Sequence, residues 1–159
     1  MPAKDQESLS RQPSQFAHAG LVVVAVTGVH TSVWQMVNGD VMVQLHTFQE
    51  ALVRSLSQSG IFGSVSDGGV AEYELHAEIM RQDKAVDGAT LSVRYVLRDA
   101  SLGRDVFAQE INTSSSISED TALGASLVNS RTAISRAAFR AAGKNIDSLM
   151  TRLRAIEAP

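Results

Sequence analysis

Residues 71–99 read AEYELHAEIMRQDKAVDGATLSVRYVLRD, and the fold is decided there. In the first part, Tyr73, Leu75, Ala77 and Ile79 alternate with Glu72, Glu74, His76 and Glu78. In the last part, Leu91, Val93, Tyr95 and Leu97 alternate with Ser92, Arg94, Val96 and Arg98. Side chains along a strand point to opposite faces with a period of two, so each part is a strand with one buried and one wet face. That pattern marks antiparallel strands covered on one side. Acids on the first outer face and arginines on the second predict cross-strand pairing. Each such pair contributes about 0.2–1 kcal/mol, enough to set register but not to hold a fold. Residues 99–103 (DASLG) form a turn, and Asp105 to Thr113 a third strand whose poorer alternation suits an edge. The antiparallel meander therefore runs from about Glu72 to Ile111.

Upstream, Gly20 to Val29 (GLVVVAVTGV) is apolar in both parities, as in a central strand covered on both faces and partly parallel-paired. The period then changes. Val41, Leu45, Phe48, Leu52 and Leu56 recur at steps of three and four, which predicts a helix over 41–59 stopped by Gly60. A short strand comes next at Phe62 to Val65, ended by residues 66–69 (SDGG). Downstream of the meander, the hydroxyl run from Thr113 to Ser118 reads as a loop. Ala138, Ala142, Ile146, Leu149, Leu153 and Ile156 then predict a long helix over 126–156. Its small residues Ala137, Ala138, Ala141 and Ala142 would let it lie close to the sheet, and close packing is the expected reason for Gly143.

These elements predict an α+β two-layer sandwich of order β-α-β-β-β-α, a mixed sheet whose antiparallel meander packs against two helices. Residues 1–17 are polar, hold two of the three prolines and show no period, so they read as a flexible leader to a single domain over 18–159. A domain of this length buries enough surface to need no disulfide or metal.

Composition narrows the chemistry. The chain of 159 residues carries a net charge of −3 and no basic block, which argues against a nucleic-acid partner. It has no cysteine, so no disulfide framework and no thiolate metal site. The longest apolar run, Leu21 to Val26, is strand-sized, and Met1 is followed by Pro2, Ala3, Lys4 and Asp5 with no apolar region of a signal peptide. The expectation is either a cytoplasmic protein or a mature segment bearing an added start methionine. His18, His30, His46 and His76 share no ligand spacing, and no serine sits in a nucleophile motif. No cofactor and no enzymatic activity are expected. The residues most open to a binding role are Val33, Trp34, Met36 and Val37, an apolar loop that either caps the core or offers a partner a contact patch.

Several segments carry a family resemblance. They are residues 48–62 (FQEALVRSLSQSGIF), 71–75 (AEYEL) and 93–103 (VRYVLRDASLG), then Arg131, Ala133, Ala137 and residues 144–146 (KNI) before a Leu-rich end. In this order they resemble small, poorly characterised envelope lipoproteins of Gram-negative bacteria. The auxiliary lipoproteins of ABC-type transporters and the lipopolysaccharide-transport lipoprotein are similar in element order. The resemblance implies a non-enzymatic periplasmic accessory or adaptor domain of an envelope assembly or transport system, acting on envelope proteins by protein–protein contact. It also implies a membrane tether through an N-terminal lipidated cysteine, which this sequence lacks. The alternative is a small-molecule or lipid binding module with a pocket between sheet and helices. An uncovered third strand would also invite pairing into a homo-oligomer.

Overall fold

The computed structural model describes residues 16–28, 45–85, 87–116, 118 and 130–156. The elements in chain order are β1 (Gly20–Val23), β2 (Thr27–Gly28), α1 (Leu45–Ser59), β3 (Ser64–Ser66), β4 (Tyr73–Ala85), β5 (Gly88–Asp99), β6 (Arg104–Ser116) and α2 (Ser130–Arg154). Among the described residues the strands form one six-stranded mixed sheet of order β3-β1-β4-β5-β6, with β2 also pairing β4. Both helices pack on one face, α2 over β5 and β6, α1 against β3 and α2. This is the two-layer α+β arrangement that the periodicities predict. Among the described residues the element string has eight members against the six of the predicted order, because the 20–29 run is split in two and the short strand at Ser64–Ser66 stands beside the three strands of the meander.

The meander keeps the register that its charges imply. Glu74 stands opposite Arg98 and Glu78 opposite Arg94. On the other side Arg94 faces Glu110 and Arg98 faces Asp105, so each arginine lies between two acids. Register is all that this ladder secures. Glu74 turns to His76 (3.3 Å) and Arg98 donates to the Gly103 carbonyl (3.2 Å). β4 and β5 run further than the alternation suggests, as far as the paired Ala85 and Gly88, because a bulge between Ile79 and Arg81 shifts the parity and hides the strand from a period-two reading.

The apolar run around Val22 behaves as a covered strand. Leu21, Val22 and Val23 are all buried, and β1 pairs in parallel with both β3 and β4. It breaks before β2, where the Val26 amide donates to Gln49 Oε1 of α1 (3.1 Å) instead of to a strand. Gly28 then passes so close to β4 that a Cβ there would sit 2.2 Å from the Ile79 carbonyl, and its φ of 112° is one that side chains rarely allow.

The predicted helical stripes form the core. Phe48, Leu52 and Leu56 of α1 are buried, with Leu45 partly so. From α2, Ala137, Ala138, Ala141, Ala142, Ile146, Leu149 and Leu153 meet Leu91, Val93, Tyr95 and Leu97 of β5 in the same apolar cluster. The small residues face the sheet as expected, but Gly143 does not. It is exposed, and a Cβ there would touch nothing within 4 Å. Close packing is therefore not its reason. Replacing it by alanine should stabilise the domain by about 0.5–1 kcal/mol, the usual helix-interior difference, read as a raised midpoint in urea unfolding.

The hydroxyl run is a second correction. Thr113 to Ser116 are not a loop but the end of β6, paired with residues 88–91 of β5. Serine has weak strand propensity, and here tertiary contacts supply what propensity lacks. Thr113 Oγ1 donates to the Ala141 carbonyl (2.7 Å), and Arg140 Nε donates to Ser115 Oγ (2.9 Å).

Candidate functional site

Val33, Trp34, Met36 and Val37 lie outside the described residues, so the surfaces considered are those of the sheet, its edges and its ends. Three features stand out.

At one end of the sheet, the turn before β4 meets the turn between β5 and β6. Between them lies an open groove of about 690 Å³ lined by His18, Gly20, Ser64, Ser66, Glu72 and Ser101 among others. Val70, at 99% exposure, is part of that lining, and Leu102, at 63%, follows Ser101 in the second turn. Three aromatic rings pack together at the same end of the chain's core. Phe16 stacks on Phe62 (centroids 5.0 Å apart) and meets the edge of Tyr73 (5.0 Å). Burial, and after it the nearby Asp99 and Glu72 carboxylates, pushes the Tyr73 phenol above the ordinary tyrosine value. Asp99 shapes the second turn, its Oδ1 accepting from the Ser101 hydroxyl (2.7 Å), the Ser101 amide (3.0 Å) and the Leu102 amide (3.1 Å). The Ser101 hydroxyl first, and then the amides, hold its carboxyl below the usual aspartate value. A depressed folded pKa contributes order that is present above the unfolded value near 3.8 and is lost as pH falls through the lower folded value. Below that pH, Ser101 and Leu102 amide exchange should accelerate ahead of the strand amides, a sequence that hydrogen exchange by NMR can read.

The second feature is the β6 edge, which no described strand covers on its outer side. Strand carbonyls alternate between the two sides, and those of Leu91 and Ile111 lie between β5 and β6, where the Asn145 amide reaches both (3.4 and 2.8 Å). The Ser114 and Ser116 carbonyls therefore face out from the edge. Lys144 Nζ donates to the first (3.1 Å) and Arg140 Nη2 to the second (2.9 Å). Cations from α2 thus close the C-terminal part of the edge to an incoming strand, a known protection of exposed edges.

The third feature is internal. Asn145 is fully buried. Its Oδ1 accepts from the hydroxyl of Tyr95 (2.6 Å), itself fully buried, and its Nδ2 also donates to Thr113 Oγ1 (3.2 Å). Burial raises the Tyr95 phenol, so it stays a donor at any physiological pH. The alternation places Tyr95 as a core residue, but nothing in it distinguishes a tyrosine that locks a helix to a sheet. The only sequence signal for Asn145 was its presence in the KNI segment.

The remaining polar groups are dispersed. A smaller hollow of about 370 Å³ lies on the outer side of α1, where His46 pairs with Glu50 (2.8 Å) close to Arg54 and Asp67. Among the described residues no three His, Cys, Asp or Glu side chains converge as metal ligands, and no helix is long and apolar enough to cross a membrane.

No protein-family model matches the chain, and no curated protein does. Solved structures do match it. Protein XCC0632 from Xanthomonas campestris, described by the family model DUF330, superposes with a TM-score of 0.67 at 14% identity, covering 90% of this chain and 89% of that one. The PelC dodecamer from Paraburkholderia phytofirmans gives a TM-score of 0.55 at 18% identity over 91% of this chain and 94% of that one. The hypothetical protein CT253 from Chlamydia trachomatis gives 0.56 at 12% identity over 87% and 99%. At these identities the likeness is one of fold, and it spans nearly the whole chain of each neighbour.

Proposed function

We propose that this chain is a non-enzymatic accessory or adaptor domain of a cell-envelope assembly or transport system, working by protein–protein contact. The observation that carries contact is the end of the sheet. Val70 lines a polar groove there and Leu102 stands in the adjoining turn next to Ser101, both large apolar side chains exposed to water. Apolar side chains rimmed by polar ones are what a protein partner covers. The envelope placement rests on the lipoprotein-like order of the 48–62, 71–75, 93–103 and 144–146 segments, and with it a periplasmic location and a lipid tether. One partner is a second copy of the chain, since the PelC neighbour of the same fold is a dodecamer. A ligand held between sheet and helices has less behind it, because that interface is filled by Phe48, Leu52, Leu56, Leu75, Tyr95 and Leu149, each at or below 1% exposure.

The test is crosslinking pull-down from the native envelope together with light scattering of the purified chain. Val70→Asp and Leu102→Asp are expected to lose the captured partner, or to reduce a multiple of the 17.0 kDa mass to the single chain, with thermal unfolding unchanged. Full capture and unchanged mass in both variants would sink the assignment of this surface.

A further inference from the structure

The protection of the β6 edge stops at Ser114. Lys144 and Arg140 hold the outward carbonyls of Ser114 and Ser116, while from Val106 to Asn112 no described strand pairs with the outer side. By the alternation that sends the Ile111 carbonyl toward β5, the amides and carbonyls of Ala108, Glu110 and Asn112 face away from it. Among the described residues these outward groups have no backbone partner. A row of such groups is a template for another strand.

This open stretch has two chemically different sides. Under α2, Phe107 and Ile111 are buried, and Gln109 between them is exposed. The Gln109 Oε1 accepts from Arg152 Nη1 (2.6 Å) in the last turn of α2. Arg152 is half-buried, and that neutral amide is its one partner among the described residues. A guanidinium binds a carboxylate more strongly than an amide, through two parallel bonds from its fork. On the outer side Ala108 is small, and Glu110 stands exposed next to Arg94.

We propose that this stretch of β6 receives an extended segment of a partner protein as a further strand, with an acidic residue beside Gln109 that Arg152 binds. Main-chain bonds to Ala108, Glu110 and Asn112 supply the affinity, and Arg152 supplies the selection. The outer side favours a basic or hydroxyl residue across from Glu110. A second copy of this chain fits less well. Its own β6 would bring Phe107, Gln109, Ile111 and Thr113 to the α2 side, and its other edge strand, β3, is Ser64–Ser66. None of these is an acid, so self-pairing leaves Arg152 without a carboxylate. The inference rests on the contact function proposed above, but it places a partner on a different surface from the Val70 groove.

The probe is a soluble nine-residue peptide with valine at odd positions, lysine or threonine at even ones, and aspartate at its centre. Amide hydrogen exchange of the full chain is followed by NMR with and without it. In the free chain the Gln109 and Ile111 amides are expected to exchange slowly, and those of Ala108, Glu110 and Asn112 fast. The peptide in excess should slow the fast three about tenfold or more. Asparagine at the peptide's centre, or Arg152→Gln in the chain, should each weaken binding about fivefold, and both together no more than either alone. Ala108→Pro, which removes an outward donor without touching the β5 ladder, should abolish binding with thermal unfolding unchanged. Val70→Asp should bind the peptide as the parent does, so failure of the edge and failure of the groove are read separately. Edge amides that stay fast with peptide in excess, or binding indifferent to the central aspartate, overturn the proposal. So does binding that survives Ala108→Pro or is lost in Val70→Asp. If the edge amides slow as the chain alone is concentrated, a second copy pairs there and the partner assignment fails.

Discussion

Replacing Asn145 by alanine is expected to destabilise the domain by about 2–4 kcal/mol, because it strips partners from several buried groups at once. The Tyr95 hydroxyl would lose its acceptor at 2.6 Å in a place without solvent. The Ile111 carbonyl and Thr113 Oγ1 would lose the amide that ties them to α2. An orphaned buried donor or acceptor costs roughly 1–3 kcal/mol, which is why the total exceeds that of an ordinary hydrogen bond. Tyr95→Phe should cost less, about 1–2 kcal/mol, since Asn145 keeps its donors paired. Combining Tyr95→Phe with Asn145→Ala should cost less than the sum of the single changes, as the pair then vanishes together. Urea unfolding of the parent, the two single variants and the double variant measures this. Strict additivity would mean that the two side chains do not act as a unit.

Phe48→Ala is expected to cost more, about 3–5 kcal/mol, the range for a buried aromatic ring removed from a packed core. Phe48 lies on α1, over the half of the sheet that contains β1 and β3, whereas Asn145 belongs to the half under α2. If the two halves are one cooperative domain, both variants lower the same single transition, by about 2–4 °C for each kcal/mol in a chain of this size. Two separable transitions in either variant would instead divide the chain between β1 and the meander.

The contrast between these residues shows how much of the fold is legible in the sequence. Phe48 is legible because a helix repeats every 3.6 residues, and Leu45, Phe48, Leu52 and Leu56 mark its inner face whatever they meet. Glu74, Glu78, Arg94 and Arg98 likewise announce their register, since opposite charges on the wet face of paired strands favour one alignment. A feature set by a local period can be read locally. The stretch from Thr113 to Ser116 misleads for the opposite reason, because its hydroxyl residues behave as strand only where α2 hands them partners from 25 to 30 residues away. The bulge beyond Ile79 hides the rest of β4 from the same reading.

The two alternating strands of residues 71–99, their two faces and the two helical stripes that cover one of them were therefore determined by the sequence alone, because each is a periodicity imposed by backbone geometry. Only the tertiary structure decided that Tyr95 and Asn145 meet across 50 residues, that Lys144 and Arg140 close the β6 edge, and that the turn bearing Val70 and the turn bearing Ser101 line one groove at the end of the sheet. Those meetings depend on which elements become neighbours and how the chain turns between them. No local pattern encodes that, and it is there that the candidate contact surfaces arise.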